Sequence, residues 1–197
     1  LLETLIIGNK HVLMIGPTGT GKTININTQL QQGFSDKYIP ITFTFSARTS
    51  ANQTQDLIDS KCEKRRKGIF GPQPGKQLLI FIDDMNMPQR ELSGAQLPIE
   101  LLRQWFDADG WYDRKFLNFR TIVDVKFIAA CGPPGGGRNL TTARFLRHFN
   151  IITYTQMSEA GMFQIFSSIF CNALASYDDS LVALAPAFVR AAIDVFT

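Results

Sequence analysis

Short apolar runs alternate with longer polar stretches along most of the chain. The runs at residues 11–15 and 78–82 are each five residues long, which is typical of buried strands in a parallel sheet. Residues 41–45, in which β-branched and aromatic residues alternate with Thr, predict a further strand. Residues 122–130 predict a fourth strand and residues 151–154 a fifth. Because helix-compatible segments lie between these runs, the pattern predicts an α/β fold with three layers, in which right-handed crossovers place helices on both faces of a parallel sheet.

The segments between the strands predict helices. Residues 22–32 have helix-compatible polarity and stop at Gly33, a residue suited to the left-handed position after a helix. Ser50 begins a polar run that predicts a helix over residues 53–67, and residues 95–105 predict the next one. Since the carboxyl ends of parallel strands share one edge of the sheet, we expect ligands at that edge.

The part of the chain after Met157 has no glycine-rich turns and no strand pattern. Apolar residues recur there at helical spacing, which predicts a separate helical segment. They are Met162, Phe163, Ile165, Phe166 and Ile169. Packing in an ordinary core is preferred for this stripe over contact with a cofactor.

Composition excludes several classes of protein. The chain has 197 residues, of which 45% are hydrophobic and 19% charged, so it is one globular domain, or one domain plus part of another, and not a disordered chain. The formal net charge of +3 is too small to indicate a nucleic-acid partner. The longest apolar runs are about five residues, far below the roughly 18 that cross a bilayer, so no membrane span is expected.

Cys62, Cys131 and Cys171 are odd in number and widely spaced, which argues against a disulfide framework and against a zinc site. A reducing, cytosolic compartment is therefore expected. The chain begins at Leu1 with no Met, no basic segment and no cleavage site, so we expect no signal peptide and interpret the chain as a piece of a longer protein.

The strongest chemical signal lies between the first predicted strand and the helix after it. The segment reads Gly16, Pro17, Thr18, Gly19, Thr20, Gly21, Lys22 and Thr23. It matches the phosphate-binding P-loop at every fixed position. In such a loop backbone N–H groups surround the phosphates, Lys22 reaches the β- and γ-phosphates, and the Thr23 hydroxyl binds Mg²⁺. The segment predicts binding of ATP or ADP with Mg²⁺.

Asp83 and Asp84 directly follow the third predicted strand, about 60 residues after the P-loop. A P-loop needs an acidic partner at the tip of a neighbouring strand, which makes Asp83 the candidate Mg²⁺ ligand. Asp84 lies where a carboxylate could orient an attacking water as general base. An isolated Asp pair after a strand favours a turn or a helix cap, and the P-loop upstream reverses that preference.

A second glycine-rich segment, residues 132–137, lacks a Lys-Thr pair and contains two prolines that cannot donate backbone hydrogen bonds, so it predicts a shaped turn. Arg144 and Arg147 follow it. An arginine at the domain edge could reach a neighbour's γ-phosphate as an arginine finger, and a solvated or structural arginine is the alternative. His148 is predicted to be structural.

A basic cluster precedes Gly68 and is predicted to occupy the last turn of the helix over residues 53–67, where cations complement the helix dipole. It consists of Lys61, Lys64, Arg65, Arg66 and Lys67. Nucleic-acid binding or nuclear localisation is the weaker interpretation, because no aromatic residues interleave the cluster.

Four segments are together specific enough to indicate a family. They are FIDDMNMP at residues 81–88, GAQLPIELLRQW at 94–105, GPPGGGRN at 132–139 and RFLRHF at 144–149. With them the chain closely resembles the axonemal dynein heavy chains, and within those chains the third AAA+ module of the motor ring. The resemblance is dense over residues 1–155 and looser beyond them.

The resemblance implies an AAA+ large subdomain, a P-loop NTPase, over residues 1–155, with a five-stranded parallel sheet in the order 5-1-4-3-2. Residues 156–197 would begin a helical lid and stop before its sensor-2 arginine. By position, residues 16–23 would be Walker A, Asp83 and Asp84 Walker B, and Arg147, or else Arg144, the finger that faces the nucleotide of the preceding module.

The resemblance also implies a function. ATP binds between adjacent modules of such rings, and the third site regulates how the first, main hydrolytic site drives microtubule release. The implied partners are neighbouring AAA+ modules of the same heavy chain and, through the parent chain, microtubules and dynein intermediate and light chains. The implied location is the cytoplasm and cytoskeleton, in the axoneme of a cilium or flagellum.

Two departures from the AAA+ pattern concern hydrolysis. Asp84 stands where Glu is usual and is one methylene shorter, and Gly132, after Cys131, stands where a polar sensor-1 residue is expected. We therefore expect slow hydrolysis, with Asn86 as a candidate to compensate. Two alternatives remain open: a non-hydrolysing ring element that holds ADP or is empty and, with less support, a nucleic-acid-linked P-loop ATPase.

Overall fold

The structure, a computed structural model, describes residues 1–196 in nine strands and seven helices. The strands are β1 (His11–Ile15), β2 (Tyr38–Thr44), β3 (Glu63–Arg66), β4 (Ile69–Gly71), β5 (Gln77–Asp83), β6 (Gly110–Tyr112), β7 (Phe119–Ile122), β8 (Val125–Cys131) and β9 (Phe149–Thr153). The helices are α1 (Leu2–Ile7), α2 (Lys22–Gln32), α3 (Ala51–Asp59), α4 (Leu97–Ala108), α5 (Ala143–Leu146), α6 (Glu159–Leu174) and α7 (Asp179–Phe196).

The five apolar runs form one parallel sheet with the spatial order β2-β5-β8-β1-β9. If these five strands alone are numbered along the chain, the sheet runs 5-1-4-3-2 from the β9 edge. The predicted α/β class is confirmed. The carboxyl ends of β1, β5 and β8 lie at the same edge, and the P-loop and the Asp83–Asp84 pair follow two of them.

Helices cover both faces of this sheet. Successive side chains of β5 point to opposite faces, so they enter two different cores. One face packs against α3 and α4, with Leu78, Ile80, Ile82, Ile58, Ile99 and Leu102 in its core. The other packs against α1 and α2, with Leu79, Phe81, Ile6, Ile26 and Leu30. Each buried Leu, Ile or Phe side chain contributes roughly 1.5–3 kcal/mol, so these two cores fix the edge that carries the glycine-rich loops.

A second, four-stranded sheet was not predicted. Its order is β3-β4-β7-β6, with β3 and β4 forming a hairpin and β4 parallel to β7. The Trp111 indole N–H donates to Asp59 Oδ1 at 3.0 Å and Arg120 Nη1 lies 3.4 Å from Asp59 Oδ2, so polar contacts join this sheet to the end of α3.

The prediction of a helix over residues 53–67 is wrong beyond Asp59. The Ser50 and Gln53 side chains form a capping box at the start of α3, but the chain leaves the helix after nine residues and enters β3. Lys64, Arg65 and Arg66 therefore lie on a strand and not in a last helical turn. Pairing of β3 with β4, and of residues 69–70 with β7, supplies tertiary hydrogen bonds that override the helix propensity of Lys and Arg.

Two smaller predictions are also wrong. Gly33 has φ −102° and ψ −11°, so it is not in the left-handed conformation. Ile122 belongs to β7, and β8 begins only at Val125, because Asp124 turns the chain with φ 58°. A strand cannot continue through a left-handed residue, so one predicted strand becomes the ends of two.

The chain divides into two compact units, Leu1–Tyr154 and the residues from Thr155 onward. In the second unit α6 packs against α7 around Met162, Val189 and Ile193. The prediction of a core role for the whole apolar stripe is wrong, because Phe166 and Ile169 remain 49% and 61% exposed. Two paired helices bury only the faces that they turn to each other.

None of the helices among residues 1–196 has the length and apolar content needed to cross a membrane. Thr197, the last residue of the predicted lid segment, lies outside the described residues.

Candidate phosphate-binding site

The loop between β1 and α2 has the backbone shape that the P-loop motif requires. Gly19 and Gly21 both have φ 81°, and Gly21 is the N-cap of α2. Among the described residues, the backbone N–H groups of these two glycines have no acceptor. Free N–H groups at the start of an 11-residue helix are suited to bind phosphate oxygens, so this loop fits the phosphate groups of a nucleotide.

Lys22, the first residue of α2, is folded back onto the loop. Its Nζ donates to the carbonyl oxygens of Gly16 and Pro17 at 2.7 and 2.6 Å. Burial lowers the pKa of Lys22, while Asp83 acts in the opposite direction and Arg138 adds to the lowering. A bound phosphate would compete with the two carbonyls for the ammonium protons and would favour its charged form.

Thr23 and Asp83 meet although they are 60 residues apart. The Thr23 hydroxyl donates to Asp83 Oδ2 at 2.8 Å, and Asp83 Oδ1 accepts the backbone N–H of Asp84 at 3.0 Å. Within residues 1–196 no cluster of three or more His, Cys, Asp or Glu side chains suits a metal ion. One hydroxyl and one carboxylate nevertheless fit Mg²⁺, which binds few protein ligands and otherwise keeps water and phosphate oxygens.

Asp84 lies beside Asp83 in the left-handed conformation, with φ 49°. Its Oδ1 lies 3.3 Å from Nη2 of Arg138, and the two side chains are 38% and 25% exposed. The predicted general base therefore faces the cavity but shares it with a guanidinium group. Arg138 was missed as a site residue, although its position after three glycines and close to the end of a strand was a signal in the sequence.

These residues line one cavity of about 240 Å³. Its walls are formed by the P-loop and the start of α2, together with Asp83, Asp84, Cys131, Gly132 and Arg138. Burial raises the pKa of the Cys131 thiol to about 11, against the opposing effect of Lys22 and Arg138. The thiol is therefore neutral near pH 7 and is not a nucleophile. Of the predicted site residues, the cavity walls include Thr18, Gly19, Gly21, Lys22, Thr23, Asp83 and Asp84.

Asn86 lies behind the cavity and is 2% exposed. Its Nδ2 donates to the carbonyl oxygens of Gly132 and Asn139, at 2.9 and 3.2 Å. Asn86 thus holds the glycine-rich turn after β8 in place. The expectation that it replaces the missing sensor-1 group is wrong for this geometry, because its amide donors are already used by two carbonyl groups.

The two candidate arginine fingers do not line the phosphate cavity. Arg147 is 62% exposed and pairs with Asp107 at the end of α4, with Nη2 and Oδ1 2.8 Å apart. Arg144 is exposed and has no ion pair in the part of the chain that the structure describes. His148 stacks on Phe106 with the ring centroids 5.1 Å apart, and burial lowers its pKa, so its role is packing.

Comparison with known proteins identifies a family. The family model described as the P-loop containing dynein motor region matches residues 1–157. The chain is 56% identical over 173 residues to dynein axonemal heavy chain 1 of Homo sapiens and 52% identical over 181 residues to dynein axonemal heavy chain 12 of Rattus norvegicus. It is 47% identical over 203 residues to dynein axonemal heavy chain 3 of Mus musculus.

These matches cover 87%, 91% and 99% of the chain, in the same order. They cover only 4%, 6% and 5% of the relatives, so the chain spans a small part of the length of the proteins that it matches.

Proposed function

The chain belongs to the family of P-loop containing dynein motor regions, as found in axonemal dynein heavy chains, and on this premise we propose that it is an ATP-binding AAA+ module of a dynein motor ring. The observation that carries the proposal is the 2.8 Å hydrogen bond between Thr23 and Asp83, beside Lys22 in one cavity. It brings a hydroxyl, a carboxylate and an ammonium group together where the loop offers free N–H donors.

Residues 16–23 and Asp83 bind Mg-ATP or Mg-ADP in this proposal. The N–H groups of the loop and the start of α2 hold the phosphates, and the Lys22 ammonium leaves the carbonyl groups of Gly16 and Pro17 to contact the β- and γ-phosphates. Thr23 and Asp83 provide the protein ligands of Mg²⁺. The ion, when bound, offsets negative charge on the phosphate groups.

Hydrolysis is slow. Asp84 is the residue that orients the attacking water, but its carboxylate is one methylene shorter than that of Glu and is engaged by Arg138. A base must lie within about 2.6–3.2 Å of the water it activates, and Arg138 competes with that water for Oδ1 of Asp84.

Within the motor ring, we assign the chain to the third AAA+ module, on the four segments that resemble it. The unit Leu1–Tyr154 is the large subdomain, and the helices after it begin the lid. Its nucleotide state regulates the main hydrolytic site of the first module. Arg147, or else Arg144, contacts the nucleotide of the preceding module.

The parent chain brings this module to microtubules and to dynein intermediate and light chains. Its place is in the cytoskeleton of the cytoplasm, in the axoneme of a cilium or flagellum. The names of the relatives, which are axonemal heavy chains, support this location.

A second candidate function is a non-hydrolysing ring element that holds ADP or is empty. The observation that favours it is the ion pair of Asp84 with Arg138, which places a guanidinium group on one oxygen of the carboxylate proposed to activate water. Phosphate release in a single turnover, measured on a protein that also contains the complete lid and the next module, would exclude it.

The nucleotide-binding proposal is tested by calorimetric titration with Mg-ATP. Lys22→Ala should weaken binding at least tenfold, which corresponds to about 1.4 kcal/mol. Lys37→Ala, at an exposed lysine outside the cavity, is the matched control and should bind as the original chain does. Equal affinity of the Lys22→Ala variant and the original chain would overturn the proposal.

A further inference from the structure

The turn after β8 presents Arg138 to the phosphate cavity in a fixed position. Gly135 and Arg138 exchange two backbone hydrogen bonds of 3.0 Å. Gly135, Gly136 and Gly137 have φ values of 117°, 56° and 86°. Other residues rarely adopt this run of positive φ angles, so the three glycines are what allows the chain to reverse within four residues and to end on an arginine.

The base of the same turn is held from both sides. The Asn86 amide donates to the carbonyl groups of Gly132 and Asn139, and the backbone N–H of Asn139 donates to Asn86 O at 2.9 Å. The Asn139 side chain donates to Pro88 O, also at 2.9 Å. The backbone of Arg138 is thus positioned by its neighbours, and only its side chain remains to respond to a ligand.

The Arg138 side chain fills the space of the missing side chain at position 132. A Cβ placed on Gly132 would lie 2.6 Å from Arg138 Nε and 2.7 Å from Arg138 Cδ, which is too close for any real contact. In the AAA+ pattern a polar residue is expected at this position. Arg138 supplies a polar group there from the other end of the turn, and glycine at position 132 makes room for it.

The guanidinium group has donors to spare. Its Nε is buried and has no hydrogen-bond partner among the described residues, and its one carboxylate contact, with Asp84, is a single contact of 3.3 Å. A paired arginine commonly makes two shorter contacts of about 2.7–2.9 Å. The contact with Asp84 is therefore weak enough to be exchanged for a better acceptor.

Charge balance gives the direction of that exchange. Lys22 and Arg138 line the same cavity as Asp83 and Asp84, so two basic side chains share it with two carboxyl groups. A nucleoside triphosphate brings more negative charge than one Mg²⁺ neutralises. The terminal phosphate also offers pairs of oxygens that can accept two hydrogen bonds from a planar guanidinium group.

We propose that Arg138 recognises the terminal phosphate of the nucleotide bound to its own chain, and that it releases Asp84 when it does so. This inference rests on the proposed nucleotide-binding function. With ADP the guanidinium stays on Asp84; with ATP it moves to the γ-phosphate, and Oδ1 of Asp84 becomes free to accept a hydrogen bond from water. Arg138 is thus a binding residue for ATP and a positioning residue for Asp84.

The test compares a non-hydrolysable ATP analogue, AMP-PNP, with ADP in calorimetric titrations of the chain. Arg138→Ala should weaken AMP-PNP binding about tenfold or more and change ADP binding less than about twofold, because only the analogue has a third phosphate group. Arg138→Lys should recover part of the loss, since it keeps the charge but not the two-pronged geometry. It also provides a variant with less disturbance of the fold.

Arg90→Ala is the matched control, because Arg90 donates to Leu140 O beside the same turn but lies outside the cavity. It should leave both affinities unchanged. If Arg138→Ala weakened the binding of AMP-PNP and of ADP equally, or weakened neither, the inference would be overturned. The proposed nucleotide-binding function would still stand. Failure of the original chain to bind either nucleotide would instead overturn the proposed function.

Discussion

The Thr23 hydroxyl donates a 2.8 Å hydrogen bond to Asp83 Oδ2 and so joins the first turn of α2 to the end of β5. Helix α2 follows β1, and β1 is not a neighbour of β5 in the sheet, because β8 lies between them. Thr23 and Asp83 line the cavity in which the phosphate groups are proposed to bind, together with Cys131 and Gly132 at the end of β8.

The first prediction concerns Asp83. Asp83→Asn keeps an oxygen that can accept the hydrogen bond from the Thr23 hydroxyl, but it removes the negative charge that Mg²⁺ prefers. We expect the variant to lose most of the gain in ATP affinity that Mg²⁺ provides, at least tenfold, with little change in the free energy of unfolding. Titrations with ATP in Mg²⁺ and in EDTA measure this gain, and an undiminished Mg²⁺ effect would contradict the assignment.

Gly132→Ala should affect the site more than the fold. The added methyl group would push the Arg138 side chain away, and since the obstructing atoms belong to a flexible side chain, the free energy of unfolding should fall by about 1 kcal/mol, the lower end of the range for added volume in a packed site. Binding of AMP-PNP should weaken, as in Arg138→Ala.

The double variant Gly132→Ala, Arg138→Ala provides the control for this prediction. In it the methyl group meets no arginine, so its affinity for AMP-PNP should equal that of Arg138→Ala alone. Additive losses would show that Gly132 acts independently of Arg138.

Asn86→Ala should destabilise the unit Leu1–Tyr154. The substitution removes two hydrogen bonds and leaves the carbonyl groups of buried Gly132 and partly buried Asn139 without these donors. A loss of about 1–3 kcal/mol in the free energy of unfolding is expected in urea titrations. Asn150→Ala, at an exposed asparagine whose amide donates to His11 O, is the control and should lose less. Equal losses would contradict the role of Asn86 as the anchor of the turn.

His11 makes stability depend on pH. Burial, with smaller effects of Lys126 and His148, lowers its pKa from 6.5 to about 3. Its Nδ1 accepts the backbone N–H of Phe127 at 3.0 Å, and its ring packs on Trp105 and Phe106. Because the folded pKa is lowered, the contribution of neutral His11 is fully present above about pH 6.5 and is lost as the pH falls toward 3.

At about 1.4 kcal/mol per pH unit, the loss from His11 between pH 7.5 and pH 5 is about 2 kcal/mol. The unfolding free energy of His11→Gln should therefore fall less steeply with decreasing pH. His148→Gln is the control: it still contains His11, so the decrease that His11 causes should remain. Urea titrations at several pH values measure both. Parallel curves for His11→Gln and the original chain would contradict the prediction.

Arg147→Ala should leave nucleotide binding by this chain within about twofold of the original value, because Arg147 lies outside the cavity and pairs with Asp107. The exposed ion pair contributes about 0–1 kcal/mol to stability. In a protein that includes the preceding module, the same substitution should weaken nucleotide binding at that module, and Arg144→Ala is the comparison. A large loss of binding in this chain alone would exclude a role as a finger for a neighbour.

Local patterns in the sequence were sufficient for the α/β class and for the positions of the five main strands. A run such as residues 78–82 is apolar on both faces, and in a chain of this kind only a central strand is buried on both sides. The P-loop was equally readable, since its glycines, Lys22 and Thr23 are consecutive and their conformation is set by near neighbours. The order of the sheet came from the resemblance and not from the residues alone.

The second sheet was not readable in the same way. Its strands are three or four residues long, β3 consists of four charged residues, and β4 is paired with β7, about 50 residues away. Strands this short carry almost no periodic signal, and their stability comes from partners that the local sequence does not identify. The basic residues before Gly68 were placed on a helix for this reason.

The chain's sequence by itself therefore determined the strands of the main sheet and the candidate phosphate-binding loop, because hydrophobic period and loop conformation depend on residues close together in the chain. Only the tertiary structure decided what surrounds Asp84. Arg138 lies 54 residues beyond it and reaches it through a glycine turn, in the space left by Gly132. Contacts of this kind depend on how the crossovers bring separate loops to one edge of the sheet, and no local pattern specifies them.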